Sequence, residues 1–162
     1  MTVYFTDERT SSRVFTERML RTHYGIAAPQ FVRGEHGKPY LTGEDLFFSL
    51  SHSHGRTFLA IAKEEIGLDA EWRARPLPRA YLARLTPAER EEDFFRLWTA
   101  KEAFIKYRGS SLADMLPSLR FEHGTLFVHG VPACTHMTFC DADGFTLALC
   151  SASEHSIELV HG

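Results

Sequence analysis

Hydrophobic and polar positions follow two different periods along the chain, and each period predicts a different kind of element. Between residues 13 and 24 the large apolar side chains recur near helical spacing. Ser11 or Ser12 is the expected N-cap of this helix, and Gly25 marks its expected end. Residues 2–6, which precede it, are rich in β-prone side chains and predict a short strand.

The segments that follow are predicted to be strands. Residues 31–41 are expected to be extended, because the glycines and the proline within them disfavour a helix. Residues 46–53 and 57–65 are β-prone and partly alternating, and the polar turn between them predicts a hairpin. Residues 66–72 are predicted to form another edge strand, and the sequence from residue 119 onward predicts further strands and turns.

Two helices are predicted between these strand regions. The first is short and covers residues 76–85, and the second is long and covers residues 86–109. In the long helix Thr86 is the expected N-cap and Pro87 the first helical residue, with acidic residues in the first turn and Gly109 after the end.

Charged residues lie close to the apolar face of this long helix. Projected at about 100° per residue, its aromatic and aliphatic side chains form one arc. Glu102 and Lys106 lie together on one shoulder of that arc, where a cleft is expected, although such pairs are most often exposed to solvent. Lys101 lies inside the arc, so its ammonium must either extend to water or meet an anion.

The order of these elements predicts an α+β fold. Residues 47–62 and 137–152 each combine a strand, a polar turn with glycine and a second strand. We therefore expect two pseudo-repeated lobes of antiparallel sheet packed with helices, a trimmed N-terminal lobe over residues 1–62 and a C-terminal lobe over residues 63–162. The two lobes should form a single compact unit, because no linker rich in Pro, Gly or Ser separates them.

Composition and charge narrow the class of protein. The chain has 162 residues, 44% of them hydrophobic, which is typical of a globular protein with a buried core. A net charge of −3 argues against broad binding to nucleic acids or anionic membranes. Cys134, Cys140 and Cys150 lack C-x-x-C spacing, which favours reduced thiols in a cytoplasmic protein. We expect neither a signal peptide nor a membrane-spanning segment.

Two acidic residues in the strand at residues 66–72 form the first candidate site. Asp69 and Glu71 point to the same face, because side chains in a strand repeat every two residues. Carboxylates this close repel each other unless a cation or a shared proton lies between them. Together with Glu102 they provide three oxygen ligands, a donor set that suits Mg²⁺ bound to phosphate. The alternative is a pair of exposed acids on an edge strand.

A second candidate cluster combines a lysine with a serine- and histidine-containing strand end. Lys38 lies between a glycine and a proline, so its backbone is expected to be extended and its side chain to project outward. Ser51, His52 and Ser53 offer hydrogen-bond donors that could face a phosphate. A zinc site at His52 and His54 would need a third ligand, and no recognised spacing supplies one.

Four motifs occur in a fixed order, G-K-P-Y-L from Gly37, S-H-S from Ser51, G-L-D-A-E from Gly67 and W-T-A-K-E-A-F-I-K from Trp98. Together they resemble the 4′-phosphopantetheinyl transferases, specifically the surfactin-synthetase-activating type. The resemblance covers residues 37–109, and the chain before the acidic motif is shorter than in the larger members. The resemblance implies that family's fold and the transfer of the phosphopantetheine arm of coenzyme A to a serine of a carrier protein, with release of adenosine 3′,5′-bisphosphate.

The resemblance also implies roles for individual residues. The ligands of Mg²⁺, or of Mn²⁺ in its place, would be Asp69, Glu71 and Glu102. The catalytic residues would be Asp69, Glu102 and Lys106. Glu102 would take the serine proton, directly or through a metal-bound water, and Lys106 would stabilise or protonate the leaving group. Contacts to coenzyme A would come from Lys38, Pro39, Ser51, His52, Lys101, Lys106 and Arg13, with Arg9 and Arg33 as further candidates for its 3′-phosphate.

The implied partners are coenzyme A and an apo carrier protein of the acyl, peptidyl or polyketide type. The acidic helix of such a carrier could meet a basic stretch that follows the acidic motif, namely Arg73, Arg75, Arg79 and Arg84. We expect a monomer, with a homodimer as the alternative, and neither a nucleic-acid nor a membrane partner. Two other functions stay open, a noncatalytic module that binds coenzyme A or a nucleotide, and a metal-dependent pyrophosphohydrolase.

Overall fold

The computed structural model describes residues 1–77 and 79–162, in which strands are more numerous than helices. The strands are β1 (Thr2–Thr6), β2 (Gln30–Arg33), β3 (Pro39–Thr42), β4 (Phe47–Ser53), β5 (Arg56–Ala62), β6 (Ile66–Trp72), β7 (Leu119–Glu122), β8 (Thr125–Val128), β9 (Val131–Pro132), β10 (His136–Ala142), β11 (Phe145–Ser151) and β12 (Glu158–His161). The helices are α1 (Ser12–Tyr24), α2 (Arg79–Leu82), α3 (Phe94–Tyr107) and α4 (Leu112–Met115), and single 3₁₀ turns lie at Glu89–Glu91 and Leu116–Ser118.

Within the described residues the strands form four sheets. The first has the order β12-β1-β5-β4 and the second the order β10-β11-β6, while β2-β3 and β7-β8-β9 form two smaller sheets. β1 and β12 run parallel, and the other paired strands run antiparallel. The expected α+β class is therefore confirmed. Because the last strand returns to the sheet of the first, both chain ends lie in one sheet, and the division at Ala62 stays a prediction.

The predicted hairpin of β4 and β5 is confirmed, and its turn has a defined geometry. His54 and Gly55 both have positive φ, at 48° and 81°, which is the geometry of a two-residue type I′ turn. Asp143 and Gly144 connect β10 and β11 in the same way, with φ of 52° and 79°. The similarity between the two hairpins thus extends to the backbone of their turns.

The first helix begins and ends where the sequence predicts. The Ser11 side chain accepts the Val14 N–H at 3.2 Å and caps α1, and Gly25 follows its end with φ of 72°. The predicted short helix over residues 76–85 contains Pro78, which lies outside the described residues. In the described part of that segment, α2 covers four residues.

The prediction of one helix over residues 86–109 is wrong in its first third. The Thr86 N–H donates to the Glu89 carboxylate at 3.1 Å, and the Glu89 N–H donates to the Thr86 hydroxyl at 3.2 Å. This capping box is followed by only one 3₁₀ turn. Glu92 is then extended, and Asp93 caps α3 by accepting the Arg96 N–H at 3.0 Å. At the other end the prediction is confirmed, since Gly109 follows α3 with φ of 59°.

The core has one layer on each side of the first sheet. α1 packs on one face of this sheet, and the second sheet packs on the other face through residues such as Phe58 and Leu68. α3 covers the far face of the second sheet with Leu97 and Phe104. Within residues 1–77 and 79–162, no helix is long and apolar enough to cross a membrane.

Candidate functional site

The candidate site lies where β6 meets the middle of α3. Gly67 of β6 allows this approach, because a Cβ there would lie 1.9 Å from the carbonyl oxygen of Ala103 on α3. Beyond this crossing, the ammonium of Lys106 donates a hydrogen bond to Asp69 Oδ1 at 2.8 Å. The helix therefore faces the acidic strand, and Lys106 is directed at Asp69 rather than at Glu102.

Asp69 is the most buried acid of the site, with 5% of its surface exposed. Its Oδ1 accepts hydrogen bonds from the Ser51 hydroxyl and from Lys106, both at 2.8 Å. Its Oδ2 is also buried, but no described residue donates a hydrogen bond to it. A buried carboxylate oxygen without a donor is costly, and such an atom is suited to a cation that enters the site.

Glu71 follows Asp69 on the same face and is held at both of its oxygens. The Ser53 hydroxyl donates to Oε2 at 2.9 Å, and the Trp98 indole N–H donates to Oε1 at 3.1 Å. An Arg75 nitrogen lies 2.8 Å from Oε1, close enough for an ion pair, although its direction is not that of a hydrogen bond. Burial and then the charge of Asp69 raise the pKa of Glu71.

Glu102 completes the set of acids from the helix side. Burial, together with the charge of Asp69, raises the pKa of Glu102 to about 7. The charge of Glu71 acts in the same direction, while Lys106 opposes it. A carboxyl group with this pKa can accept a proton near neutral pH, which is what general base catalysis requires.

The three acids fit a divalent cation by their chemistry, although they are not arranged as a ready ligand set. In the described part of the chain, no three His, Cys, Asp or Glu side chains lie close enough together to hold a metal ion. Yet all three ligands would be carboxylates, and one has a buried oxygen that lacks a donor among these residues. Burial first, and then the charges of the neighbouring acids, raise the pKa values of Glu71 and Glu102.

The expectation that Lys38 projects outward is wrong, because only 10% of its side chain is exposed. Its ammonium donates to a Glu65 carboxylate oxygen, to the Ile66 carbonyl at 2.9 Å and to the Lys106 carbonyl at 2.6 Å. Burial lowers the pKa of Lys38. These three acceptors tie the β2–β3 hairpin to the start of β6 and the end of α3, and a contact to coenzyme A stays a prediction.

Lys101 meets a buried anion, which confirms one of the two outcomes expected for it. It is 2% exposed, and its ammonium pairs with Glu89, which is equally buried. Glu89 also accepts the Phe121 N–H at 3.2 Å. Burial acts to raise the pKa of Glu89, but the hydrogen bonds from Lys101, Thr86 and Phe121 and the charge of Lys101 together outweigh it, so the pKa is lowered. The pair connects α3 to the preceding turn and to β7, which favours a structural role over a contact to coenzyme A.

Of the remaining predicted contacts to coenzyme A, Pro39, Lys106 and Arg13 line two adjoining hollows of about 260 and 240 Å³, whereas Ser51 and His52 are not in their described lining. Lys106 lines the first, Arg13 lines the second, and Pro39 lines both. His52 lies at 2.6 Å from the Ser12 hydroxyl, which lines the second hollow. Hollows of about 310 and 420 Å³ exist elsewhere, and their described lining does not include Lys106. Asp69, Glu71 and Glu102 are absent from the described lining of all four hollows, so it is Lys106 that connects the first hollow to the acids.

The basic stretch after β6 is partly used within the chain. Arg73 pairs with Asp93 and donates to the Thr146 hydroxyl at 2.6 Å, and Arg75 lies against Glu71. Arg79 and Arg84 are exposed. A docking surface for a carrier protein therefore stays a prediction; Arg73 is exposed as well although it is paired, and only Arg75 is half-buried.

Sequence reasoning missed a row of serines that connects β4 to β6. The hydroxyl oxygens of three alternate residues of β4 accept backbone N–H groups of alternate residues of β6, with Ser49 bonded to Leu68 at 2.9 Å, Ser51 to Ala70 at 3.1 Å and Ser53 to Trp72 at 2.9 Å. The signal for this row is the S-x-S-x-S spacing in a strand that begins with two phenylalanines.

Comparison with known proteins is consistent with this geometry. The family model described as the 4′-phosphopantetheinyl transferase superfamily matches residues 65–153. The chain is 29% identical over 155 residues to the 4′-phosphopantetheinyl transferase AcpT of Escherichia coli K12, covering 86% of this chain and 75% of that protein. It is 32% identical over 146 residues to AcpT of Salmonella typhi, covering 80% and 70%. It is also 27% identical over 142 residues to the 4′-phosphopantetheinyl transferase Sfp of Bacillus subtilis strain 168, covering 76% and 63%.

Proposed function

The chain belongs to the 4′-phosphopantetheinyl transferase superfamily, and we propose that it transfers the phosphopantetheine arm of coenzyme A to a serine of a carrier protein, with the residues of β6 and α3 as its machinery. The observation that carries this assignment is the junction of Asp69 and Glu71 with Glu102 and Lys106, which combines clustered acids with a lysine at one of them. Acids and a cation in one place are what transfer of a phosphate group needs.

The transfer forms one bond and breaks one. The carrier serine oxygen attacks the phosphorus next to the pantetheine arm, and the bond from that phosphorus to the bridging oxygen of the pyrophosphate breaks. The serine proton passes to Glu102, the acid on the helix side of the junction, which acts as the general base. The negative charge left on adenosine 3′,5′-bisphosphate is offset by the ammonium of Lys106.

We assign Asp69, Glu71 and Glu102 as the ligands of Mg²⁺, with Mn²⁺ as the alternative ion. The support is the buried Asp69 Oδ2, which lacks a donor among the described residues, and the carboxylate donor set. When bound, the ion would neutralise charge on the pyrophosphate of coenzyme A. Ser53 and Trp98 fix the orientation of Glu71 through hydrogen bonds at 2.9 and 3.1 Å.

The two adjoining hollows are the proposed place of coenzyme A. Lys106 lines the first hollow and connects it to Asp69, Arg13 lines the second, and His52 reaches the second only through the Ser12 hydroxyl. Burial and the nearby charge of Lys106 lower the pKa of His52, which favours the neutral imidazole. A bound phosphate would have to raise this pKa before His52 could carry a positive charge and pair with it.

Release of adenosine 3′,5′-bisphosphate, followed by chromatography, tests this function. We expect release only when coenzyme A, Mg²⁺ and an apo carrier are all present, and none with a carrier whose acceptor serine is replaced by alanine. Release at the same rate without a carrier would instead establish a pyrophosphohydrolase. Binding of coenzyme A without release, with every carrier class tried, would favour a noncatalytic module.

A further inference from the structure

The row of serines on β4 does more than join two strands. β4 is an edge strand of the first sheet, and β6 is an edge strand of the second. The N–H groups of β6 that face β4 therefore have no neighbouring strand in their own sheet to pair with. Ser49, Ser51 and Ser53 accept these N–H groups, and the three residues are 5%, 3% and 8% exposed. The hydroxyls therefore replace a strand partner at a closed contact between the sheets.

Accepting a backbone N–H determines where the hydroxyl proton can go. A serine hydroxyl has one proton and two lone pairs, and a backbone N–H can only donate. The Ser51 proton is directed at Asp69 Oδ1 at 2.8 Å, and the Ser53 proton is directed at Glu71 Oε2 at 2.9 Å. Ser49 accepts its N–H in the same way but has no carboxylate partner in the described part of the chain.

We propose that Ser51 and Ser53 are positioning residues that hold Asp69 and Glu71 in the orientation that receives the metal ion. Each serine occupies one oxygen of its acid, and for Asp69 this leaves Oδ2 open. The inference deepens the proposed function and rests on it. It also gives Ser51 a role other than a contact to coenzyme A, because its proton is committed to Asp69.

Ser49 offers a matched control for this role. Replacing any of the three serines by alanine leaves one β6 N–H without its acceptor, so all three variants should lower the melting temperature to a similar degree. Only Ser51→Ala and Ser53→Ala also release a carboxylate. Partners that orient metal ligands typically change metal affinity by about 10- to 100-fold when they are removed.

The test measures binding of Mn²⁺ to the full chain without coenzyme A, because Ser49 also lines the first hollow. Free Mn²⁺ is followed by its electron paramagnetic resonance signal. We expect Ser51→Ala and Ser53→Ala to weaken binding by about 10-fold or more, and Ser49→Ala to bind as the wild type does. Ser53→Thr, which keeps a hydroxyl, should restore binding. The concentration of Mg²⁺ that gives half-maximal transfer should rise in the same two variants.

Each outcome separates this inference from the function on which it rests. If the wild type transfers phosphopantetheine but all three alanine variants bind Mn²⁺ equally well, the serines only join the strands and the positioning role is refuted. Equal weakening in all three variants, including Ser49→Ala, would also refute it, because a general loosening of the contact would then explain the effect. A wild type that neither binds Mn²⁺ nor transfers the group would refute the proposed function itself.

Discussion

Replacing Gly67 by alanine should separate the catalytic helix from the acidic strand. The added Cβ would lie 1.9 Å from the Ala103 carbonyl oxygen and 2.4 Å from the Tyr107 backbone nitrogen. Both atoms belong to the backbone of α3, so no side-chain rotation can relieve the contact. Because ordinary contacts between heavy atoms begin at about 3.4 Å, α3 would have to move by roughly 1.5 Å.

The expected cost follows from this displacement. Overpacking in a closed core costs about 1–3 kcal/mol, and a clash with backbone atoms should reach the upper end of that range. At about 2–4 °C per kcal/mol for a chain of this size, the melting temperature should fall by about 6–12 °C. A misplacement of about 1 Å in a catalytic site can cost about 100-fold in rate, so we expect a loss of at least that size in transfer.

Thermal unfolding followed by circular dichroism, with transfer measured well below the melting temperature, provides the assay. Gly34→Ala is the matched control, because the one short contact of its Cβ would be with the ring of Tyr40, at 2.9 Å, and a ring can move, while the Lys38 carbonyl oxygen would lie at an ordinary 3.6 Å. We expect the control to retain transfer. A Gly67→Ala protein that melts and transfers as the wild type does would refute the close crossing of α3 over β6.

Three further predictions concern the charged residues of α3. Glu102→Gln should keep the melting temperature near neutral pH or raise it, while transfer falls by at least about 100-fold because the base is lost; a normal rate would remove Glu102 from the mechanism. Burial raises the Glu102 pKa to about 7, so the folded protein retains a proton that the unfolded chain releases from about pH 4.5 upward. The free energy of unfolding is measured in EDTA at a series of pH values. Between about pH 4.5 and 7 the wild type should lose stability relative to Glu102→Gln as the pH rises. Parallel pH dependences of the two proteins would contradict the pKa shift. Lys101→Met should cost about 3–5 kcal/mol in denaturant unfolding, because it leaves Glu89 buried without its cation, and Glu89→Gln added to it should recover most of the loss. A double variant as unstable as Lys101→Met would contradict the pairing.

The parts of the fold that the sequence predicted correctly depend on local patterns. The Ser11 cap, the Gly25 end and the His54–Gly55 turn each rest on a few neighbouring residues, and the structure confirms them. The common direction of Asp69 and Glu71 follows from strand periodicity alone, and both acids meet serines of β4 on the same face.

The parts that the sequence did not predict depend on contacts between distant residues. Lys38 turns inward because Glu65 and two carbonyl groups, one of them at Lys106, supply acceptors that no local pattern announces. The helix predicted from Thr86 is interrupted because Glu89 is drawn into the core by Lys101 and the Phe121 N–H. In both cases the need to pair a buried charge overrides the local helix or turn preference. Leaving such a charge unpaired costs more free energy than these preferences contribute.

We propose that this chain loads carrier proteins with phosphopantetheine by means of the acids and the lysine at the junction of β6 and α3. The most direct test is intact-mass spectrometry of apo acyl, peptidyl and polyketide carrier proteins incubated with the protein, coenzyme A and Mg²⁺, with EDTA and Glu102→Gln as controls. We predict that at least one carrier gains the mass of a single phosphopantetheine group, and that both controls abolish the gain. Carriers that all keep their apo mass, although a known transferase modifies them in parallel, would contradict the claim.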